Sequence, residues 1–141
     1  MGKIESREGT LNVSDEKIFN FLSDFRNFSE FIPADKVKNF SATSDSCLFE
    51  LDGIGKFGFQ ILEKDPVTYI KFSSHGNSPL SIYLSVNIMK QDVNSCNVKI
   101  SIETDVNPIV FAMIKSTLQN LADTMIMQME NFSDNYNQSG L

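Results

Sequence analysis

Residues 108–132 read PIVFAMIKSTLQNLADTMIMQMENF, and they constrain the architecture more strongly than any other part of the chain. Their larger apolar residues recur every three or four positions, which is the spacing of one face of an α-helix. Pro108 follows Asn107 at a first helical position, where the missing N–H would have no partner anyway. The stretch therefore predicts one long helix with a single buried face. That face consists of Val110, Ile114, Leu118, Leu121, Met125, Met129 and Phe132.

Two segments before this helix alternate between apolar and polar residues, which is the period of a β-strand with one buried face. They cover residues 80–88 and 98–102. The connection between them, around 92–95, is short, so we expect an antiparallel hairpin. The residues of the alternating apolar face are Leu80, Ile82, Leu84, Val86, Ile88, Val98, Ile100 and Ile102.

The upstream half predicts more strands after two short helices. A poor strand pattern over 3–13 is followed by Ser14, a good helix N-cap, and we expect a second helical turn from Phe28 to Ile32 that Pro33 ends. Period-two patterns return from Val37 onward. The order strand, two short helices, strands and long helix predicts an α+β fold, in which an antiparallel sheet is covered by a helix.

The stretch 13–25, VSDEKIFNFLSDF, resembles the strand-to-helix start of the START-like superfamily, also called the SRPBCC or polyketide-cyclase/birch-allergen-like superfamily. The sequences at 27–28, 31–33, 52–55 and 107–108 are also similar to bacterial members. The resemblance implies a helix-grip fold, with a curved antiparallel sheet of about seven strands around the C-terminal helix. We expect one such domain over residues 1–132 and a polar, frayed tail over 133–141.

Composition limits the functional classes. The chain has 141 residues, 41% of them hydrophobic, and a net charge of −6 without a basic cluster, so we expect no nucleic-acid partner. No signal peptide and no membrane span is predicted, and the expected location is cytoplasmic. Cys47 and Cys96 form no CxxC motif and have no His beside them. We expect two free thiols, no metal site and no cofactor.

Two features that suggest chemistry have simpler explanations. Residues 53–58, GIGKFG, match GxGxxG, but a period-two segment follows where a dinucleotide site needs a helix. We interpret them as a hairpin turn. His75 is the only histidine, and it lies in a Ser/Gly/Asn loop without an evident catalytic partner. We therefore predict no catalytic residue.

The supply of aromatic residues and methionines suits an interior ligand cavity, but the sequence alone favours an ordinary filled core, and it is the resemblance that implies a cavity. The expected function is binding or transport of an apolar, lipid-like small molecule. The alternatives are an enzyme of cyclase, aromatase or hydrolase type using the same cavity, and a protein-interaction module. We expect a hollow interior beneath mid-helix Leu118 and Leu121, and Tyr83 is the candidate hydrogen-bonding group. The expected lining is Phe28, Phe31, Phe49, Phe57, Phe59, Phe72, Tyr83, Leu118, Leu121 and Met125.

The outer face of the long helix is poor in charge. Ile109, Met113 and Met127 fall opposite the buried stripe at 3.6 residues per turn. They predict a surface for self-association or a partner, although single exposed apolar residues are common on proteins.

Overall fold

The computed structural model describes residues 2–32, 35–76 and 78–139. Pro33, Asn77 and the last two residues of the expected tail lie outside the described residues. The described elements are β1 (Gly2–Glu5), β2 (Gly9–Leu11), α1 (Asp15–Leu22), a 3₁₀ helix (Phe25–Glu30), β3 (Val37–Ala42), β4 (Ser46–Leu51), β5 (Gly55–Asp65), β6 (Tyr69–His75), β7 (Ile82–Asp92), β8 (Ser95–Thr104) and α2 (Pro108–Ser139).

The strands form one antiparallel sheet in the order β1-β8-β7-β6-β5-β4-β3, with β2 also paired to β8. The predicted hairpin is β7–β8, in which Leu84 lies opposite Ile102 and Val86 opposite Ile100. The two short helices stand between β2 and β3, and the long helix ends the chain. The α+β helix-grip layout predicted from the sequence is confirmed.

The first strand differs from the single one expected over 3–13. It breaks at Ser6, whose hydroxyl donates to the Arg7 carbonyl at 2.8 Å and accepts from the Ile100 N–H at 2.9 Å. The Ser6 side chain thereby takes the place of a regular backbone hydrogen bond between the strands. After this break the chain forms β2, which also pairs with β8. The two short strands explain why eight strands are seen in the described part of the chain where about seven were expected.

The two short helices begin at side-chain caps. The Ser14 hydroxyl accepts from the Lys17 N–H at 3.1 Å, and Asp15 and Glu16 occupy the first turn of α1, where acids are favoured. The Asp24 carboxylate accepts from the Arg26 N–H at 2.9 Å at the start of the 3₁₀ helix. These caps place the following phenylalanines against the sheet.

The middle of α2 supplies the core. Leu118, Ala122, Ile126 and Met129 are at most 1% exposed, whereas no residue from 108 to 117 is buried. The helix continues to Ser139. Ser133 is fully buried, because its hydroxyl accepts from the Asn12 N–H at 3.2 Å and donates to the Glu130 carbonyl at 2.9 Å.

Polar contacts join α2 to the β1–β2 connection. The Arg7 guanidinium donates to both carboxylate oxygens of Glu130, at 2.7 and 3.1 Å, and lowers the pKa of Glu130 below its ordinary value. The Arg7 N–H donates to Asp123 at 3.0 Å. Backbone and side chain of one residue therefore hold two positions of the helix that are about two turns apart.

A close approach at Gly9 yields a stability prediction. A methyl group built on Gly9 would lie 2.6 Å from Cγ2 of the fully buried Ile126. We expect Gly9→Ala to lower the free energy of unfolding by about 1–3 kcal/mol through overpacking. Urea denaturation measures this, with the exposed Glu8→Ala as control. In the double variant with Ile126→Ala, the loss in the free energy of unfolding should be smaller than the sum of the losses in the two single variants. A loss equal to that sum would contradict the contact between the two positions.

Candidate functional site

The interior contains a cavity of about 50 Å³ between the sheet, the 3₁₀ helix and α2. The strands contribute their core-facing residues, and the helices cover them from above. Every lining residue is apolar. They are Phe25, Phe28, Ile32, Val37, Phe40, Cys47, Phe49, Leu51, Phe57, Phe59, Ile82, Leu84, Ile102, Leu118, Leu121 and Met125.

Aromatic rings bound the cavity on two sides. Phe49 lies opposite Phe57 across β4 and β5, with ring centroids 5.8 Å apart, and its ring meets Phe59 edge-on at 5.4 Å. On the other side Phe25 and Phe28 of the 3₁₀ helix are 5.1 Å apart. Offset and edge-on ring contacts of this kind are favourable, so the rings form stable walls.

Seven of the ten expected lining residues border this cavity: Phe28, Phe49, Phe57, Phe59, Leu118, Leu121 and Met125. The structure places the other three elsewhere. Phe72 is covered by Phe25 and Phe28, at 5.2 and 5.1 Å, and Phe31 packs against Phe132 at 5.4 Å. Both are fully buried behind the cavity wall.

Tyr83 lies on the opposite, outer face of the sheet. It alternates with the core residues Ile82 and Leu84 on β7, so its ring points away from the cavity. The Lys71 ammonium stands 5.2 Å from the centre of that ring. Tyr83 therefore cannot be the hydrogen-bonding group of the cavity, as the sequence suggested.

One lining residue was missed because of a bulge. Strict alternation from Val37 along β3 puts Phe40 on the outer face. The register shifts between Lys38 and Ser41, and Asn39 adopts a φ of 55°, so the chain gains one residue and Phe40 turns to the cavity. Ile82, Leu84 and Ile102 were also missed, although they share the predicted core face of the hairpin, and so were Phe25, Ile32, Val37, Cys47 and Leu51.

The cavity is smaller than the hollow interior we expected beneath Leu121. Sites that enclose a drug-sized ligand measure roughly 300–1,000 Å³. The phenylalanine rings occupy most of the space between the sheet and α2, and about 50 Å³ remains. A drug-sized ligand must therefore displace side chains in order to fit into the cavity.

Among the lining residues that the structure describes, Cys47 alone carries an ionisable group. Burial raises the pKa of its thiol to about 12, against an ordinary value of 9.0. Cys96, also buried and free, has its pKa raised to about 11 by burial. Because the thiolate is the nucleophilic form, neither thiol is activated at neutral pH.

A separate groove of about 350 Å³ lies on the outer face near His75. His75 is paired with Gly58 of β5, where an added methyl group would come within 3.1 Å of the imidazole Nε2. The glycine-rich stretch 53–58 covers the end of the β4–β5 turn and the start of β5, with φ of 82° at Gly53 and 140° at Gly55. This confirms the turn interpretation. Phe49 and Phe57 border both this groove and the apolar cavity, so His75 lies on the other side of the sheet from residues of the cavity lining.

Neither a metal cluster nor a membrane span is found in the part of the chain that the structure describes. No three His, Cys, Asp or Glu side chains come together there in a way that could hold an ion. No helix there is both long and apolar enough to cross a bilayer.

Comparisons with known proteins find relatives by structure alone. No protein-family profile and no curated protein sequence matches the chain. Zhui aromatase/cyclase from Streptomyces sp. R1128 matches with a TM-score of 0.77 at 8% identity, over 99% of this chain and 97% of that one. A START superfamily protein from Mycobacterium smegmatis matches with a TM-score of 0.74 at 12% identity, over 94% and 97%.

Norcoclaurine synthase from Thalictrum flavum, solved with dopamine and hydroxybenzaldehyde, matches with a TM-score of 0.72 at 12% identity. That match covers 96% of this chain and 87% of the enzyme. The fold of the chain is therefore START-like. At these identities the comparisons establish the fold alone.

The raised pKa of Cys47 predicts a stability loss at high pH. Below pH 9.0 the thiol is protonated whether the chain is folded or unfolded. Above it the unfolded thiol ionises while the folded one keeps its proton up to about pH 12. The free energy of unfolding should therefore fall by about 1 kcal/mol per pH unit in this window from Cys47 alone.

Urea denaturation at pH 8 and pH 10.5 tests this, with Cys47→Ala as the comparison. The variant is less stable at pH 8 because it leaves a cavity, but its pH slope should be shallower than that of the parent. Equal slopes would contradict the burial of the thiol in the folded state.

Proposed function

Because the chain has a START-like fold, we propose that it binds or carries an apolar small molecule between the sheet and α2. The observation that carries the proposal is the wholly apolar wall of the interior cavity. Such a surface gains free energy when it contacts apolar ligand atoms, at roughly 25 cal/mol for each Å² removed from water. Small apolar cavities also tend to stay dry, so the ligand has no bound water to displace.

The ligand must open the interior to enter, and we expect the opening on the β3–β4 side. Within the described residues, α2 approaches β1, β2, β8 and the 3₁₀ helix. On the β3–β4 side, the 3₁₀ helix covers the cavity instead. Three of the lining residues on that side, Ile32, Phe40 and Phe49, are only half-buried, whereas Val37, Cys47 and Leu51 are buried. Rotation of their side chains enlarges the cavity while the packing of α2 is kept.

The lining favours binding over catalysis. A cyclase, aromatase or hydrolase needs acid, base or oxyanion-stabilising groups that converge on the reacting atoms. Among the described lining residues only Cys47 titrates, and its pKa of about 12 keeps it neutral. The cavity thus has walls suited to holding an apolar molecule and lacks groups suited to moving protons.

Native mass spectrometry of the full chain, purified without detergent, tests the proposal. We expect a retained small-molecule adduct that is released on denaturation. Neutral Nile red should bind to protein stripped of that adduct, with a blue-shifted emission. A bare mass together with no Nile red binding would contradict the proposal.

A cavity-filling variant locates the site. Leu121→Trp directs a larger ring into the cavity, so Nile red binding should be lost while Tm changes little. The matched control is Leu22→Trp, because Leu22 is buried in α1 outside the cavity lining. Overpacking there should cost about 1–3 kcal/mol and lower Tm, but dye binding should survive. If Nile red binding survived in Leu121→Trp and were lost in Leu22→Trp, the dye would bind at a different site.

The outer face of α2 supports a second proposal, self-association through Ile109, Met113 and Met127. Ile109 and Met113 are each 76% exposed and Met127 is 45% exposed. At 100° per residue these three and Asn120 lie within about 40° of one another. Asp123, nearby on the helix, is turned aside and accepts from the Arg7 N–H.

The spacing on this face suits a two-fold axis. Met113 and Met127 each lie seven residues, or about 10.5 Å, from Asn120. Two antiparallel copies of α2 that cross at Asn120 would place each Met113 against the other copy's Met127. An interface in which the same patch serves both partners is the usual basis of a homodimer.

Charge variants test this arrangement by sedimentation equilibrium. Met113→Lys and Met127→Glu should each dissociate the dimer, because each buries an unpaired charge. The double variant should restore it in part, since the antiparallel arrangement sets Lys against Glu. Val93→Lys, at a position 75% exposed in the β7–β8 turn, is the control and should have no effect. A parent chain that is monomeric at high concentration would overturn the proposal.

A further inference from the structure

Thr104, near the end of β8, has a buried hydroxyl without a hydrogen-bond partner. Its side chain is fully buried, and Oγ1 is one of two buried side-chain polar atoms in the described residues that lack a partner, the other being His75 Nε2. Proteins pair almost all buried polar side-chain atoms, because an unpaired one loses its water without compensation. An exception in a core therefore calls for an explanation.

The position of Thr104 connects this hydroxyl with the cavity. Thr104 alternates with Ile102 on the core face of β8, and its Cα partner on β7 is Ile82. Ile82 and Ile102 both line the cavity. On its other side Thr104 is paired with Gly2, against which the Phe111 ring of α2 packs. The hydroxyl thus lies at the margin of the apolar lining, under the start of α2.

Other hydroxyls in the core are satisfied by the protein itself. Ser74, on the core face of β6, donates to the Leu80 carbonyl at 3.2 Å and accepts from the Ile82 N–H at 2.9 Å. Ser6 and Ser133 each make two hydrogen bonds that bridge separate segments. These serine hydroxyls have structural roles, whereas the Thr104 hydroxyl makes no such hydrogen bond within the described residues.

We propose that Thr104 is the hydrogen-bonding residue for the ligand, which is a neutral apolar molecule with one hydroxyl or carbonyl group. The inference rests on the proposed function and narrows its ligand class. One hydroxyl can donate to a carbonyl or accept from a hydroxyl. It cannot compensate the desolvation of a carboxylate or phosphate, and the described lining residues include no cation. A water molecule is a poor alternative partner, because a buried water needs two to four polar groups.

Matched probes and isosteric variants test the assignment. Displacement of Nile red gives the affinities of naphthalene and 2-naphthol, which differ only by a hydroxyl group. Thr104→Val keeps the side-chain shape and removes the hydroxyl, and Thr104→Ser keeps the hydroxyl. We expect Thr104→Val to weaken 2-naphthol about tenfold, leave naphthalene within twofold and raise the Tm of the ligand-free protein. Thr104→Ser should retain the preference for 2-naphthol.

Each other outcome overturns the inference in a distinguishable way. If Thr104→Val leaves both affinities unchanged, or weakens both equally, Thr104 does not recognise the polar group, while the proposed function survives. If the parent chain binds neither probe nor Nile red, the proposed function itself fails and the inference fails with it.

Discussion

The burial of the middle of α2 against the β1–β2–β8 side of the sheet is the interaction on which the rest of the structure depends. Leu118, Ala122, Ile126 and Met129 are almost fully removed from water there. The helix can come so close because Gly9 has no side chain where Ile126 packs. The Arg7 contacts with Asp123 and Glu130 then set the position of the helix along its axis. With α2 held at one side, the remaining concave surface must be covered by something else.

Phenylalanine provides that cover. Phe21 and Phe31 pack with Phe132 near the C-terminal part of α2, at 4.4 and 5.4 Å from its ring, while Phe25 and Phe28 lie on Phe72. Rings of this size leave only a small cavity, yet they pack through faces and edges that can be rearranged by rotation about two side-chain bonds. The same residues that close the interior can therefore rearrange without a change in the position of α2.

The chemistry of the interior follows from its low polarity. A buried thiol at Cys47 stays protonated because its anion would lose hydration without a compensating charge. The same environment makes the Thr104 hydroxyl conspicuous, since a polar atom in it has few partners to choose from. The fold of the aromatase/cyclase and norcoclaurine synthase structures thus appears here around a cavity whose described lining residues are all apolar. A shared fold leaves such differences open, because function depends on the individual side chains.

The sequence by itself determined the order of most elements, the β7–β8 pairing and the buried face in the second half of α2, because strand and helix periods are local and each has one apolar face to bury. The first part of the predicted stripe, Val110 and Ile114, is only half-buried. Alternation also placed Phe49, Phe57 and Phe59 on the core side correctly. The tertiary structure decided which core residues border the cavity. Phe72 and Phe31 lie behind it because rings from other segments cover them, and Phe40 reaches it through a bulge. Whether a buried side chain faces a cavity or a neighbour depends on groups brought from distant parts of the chain, and the period of its own strand carries no information about them.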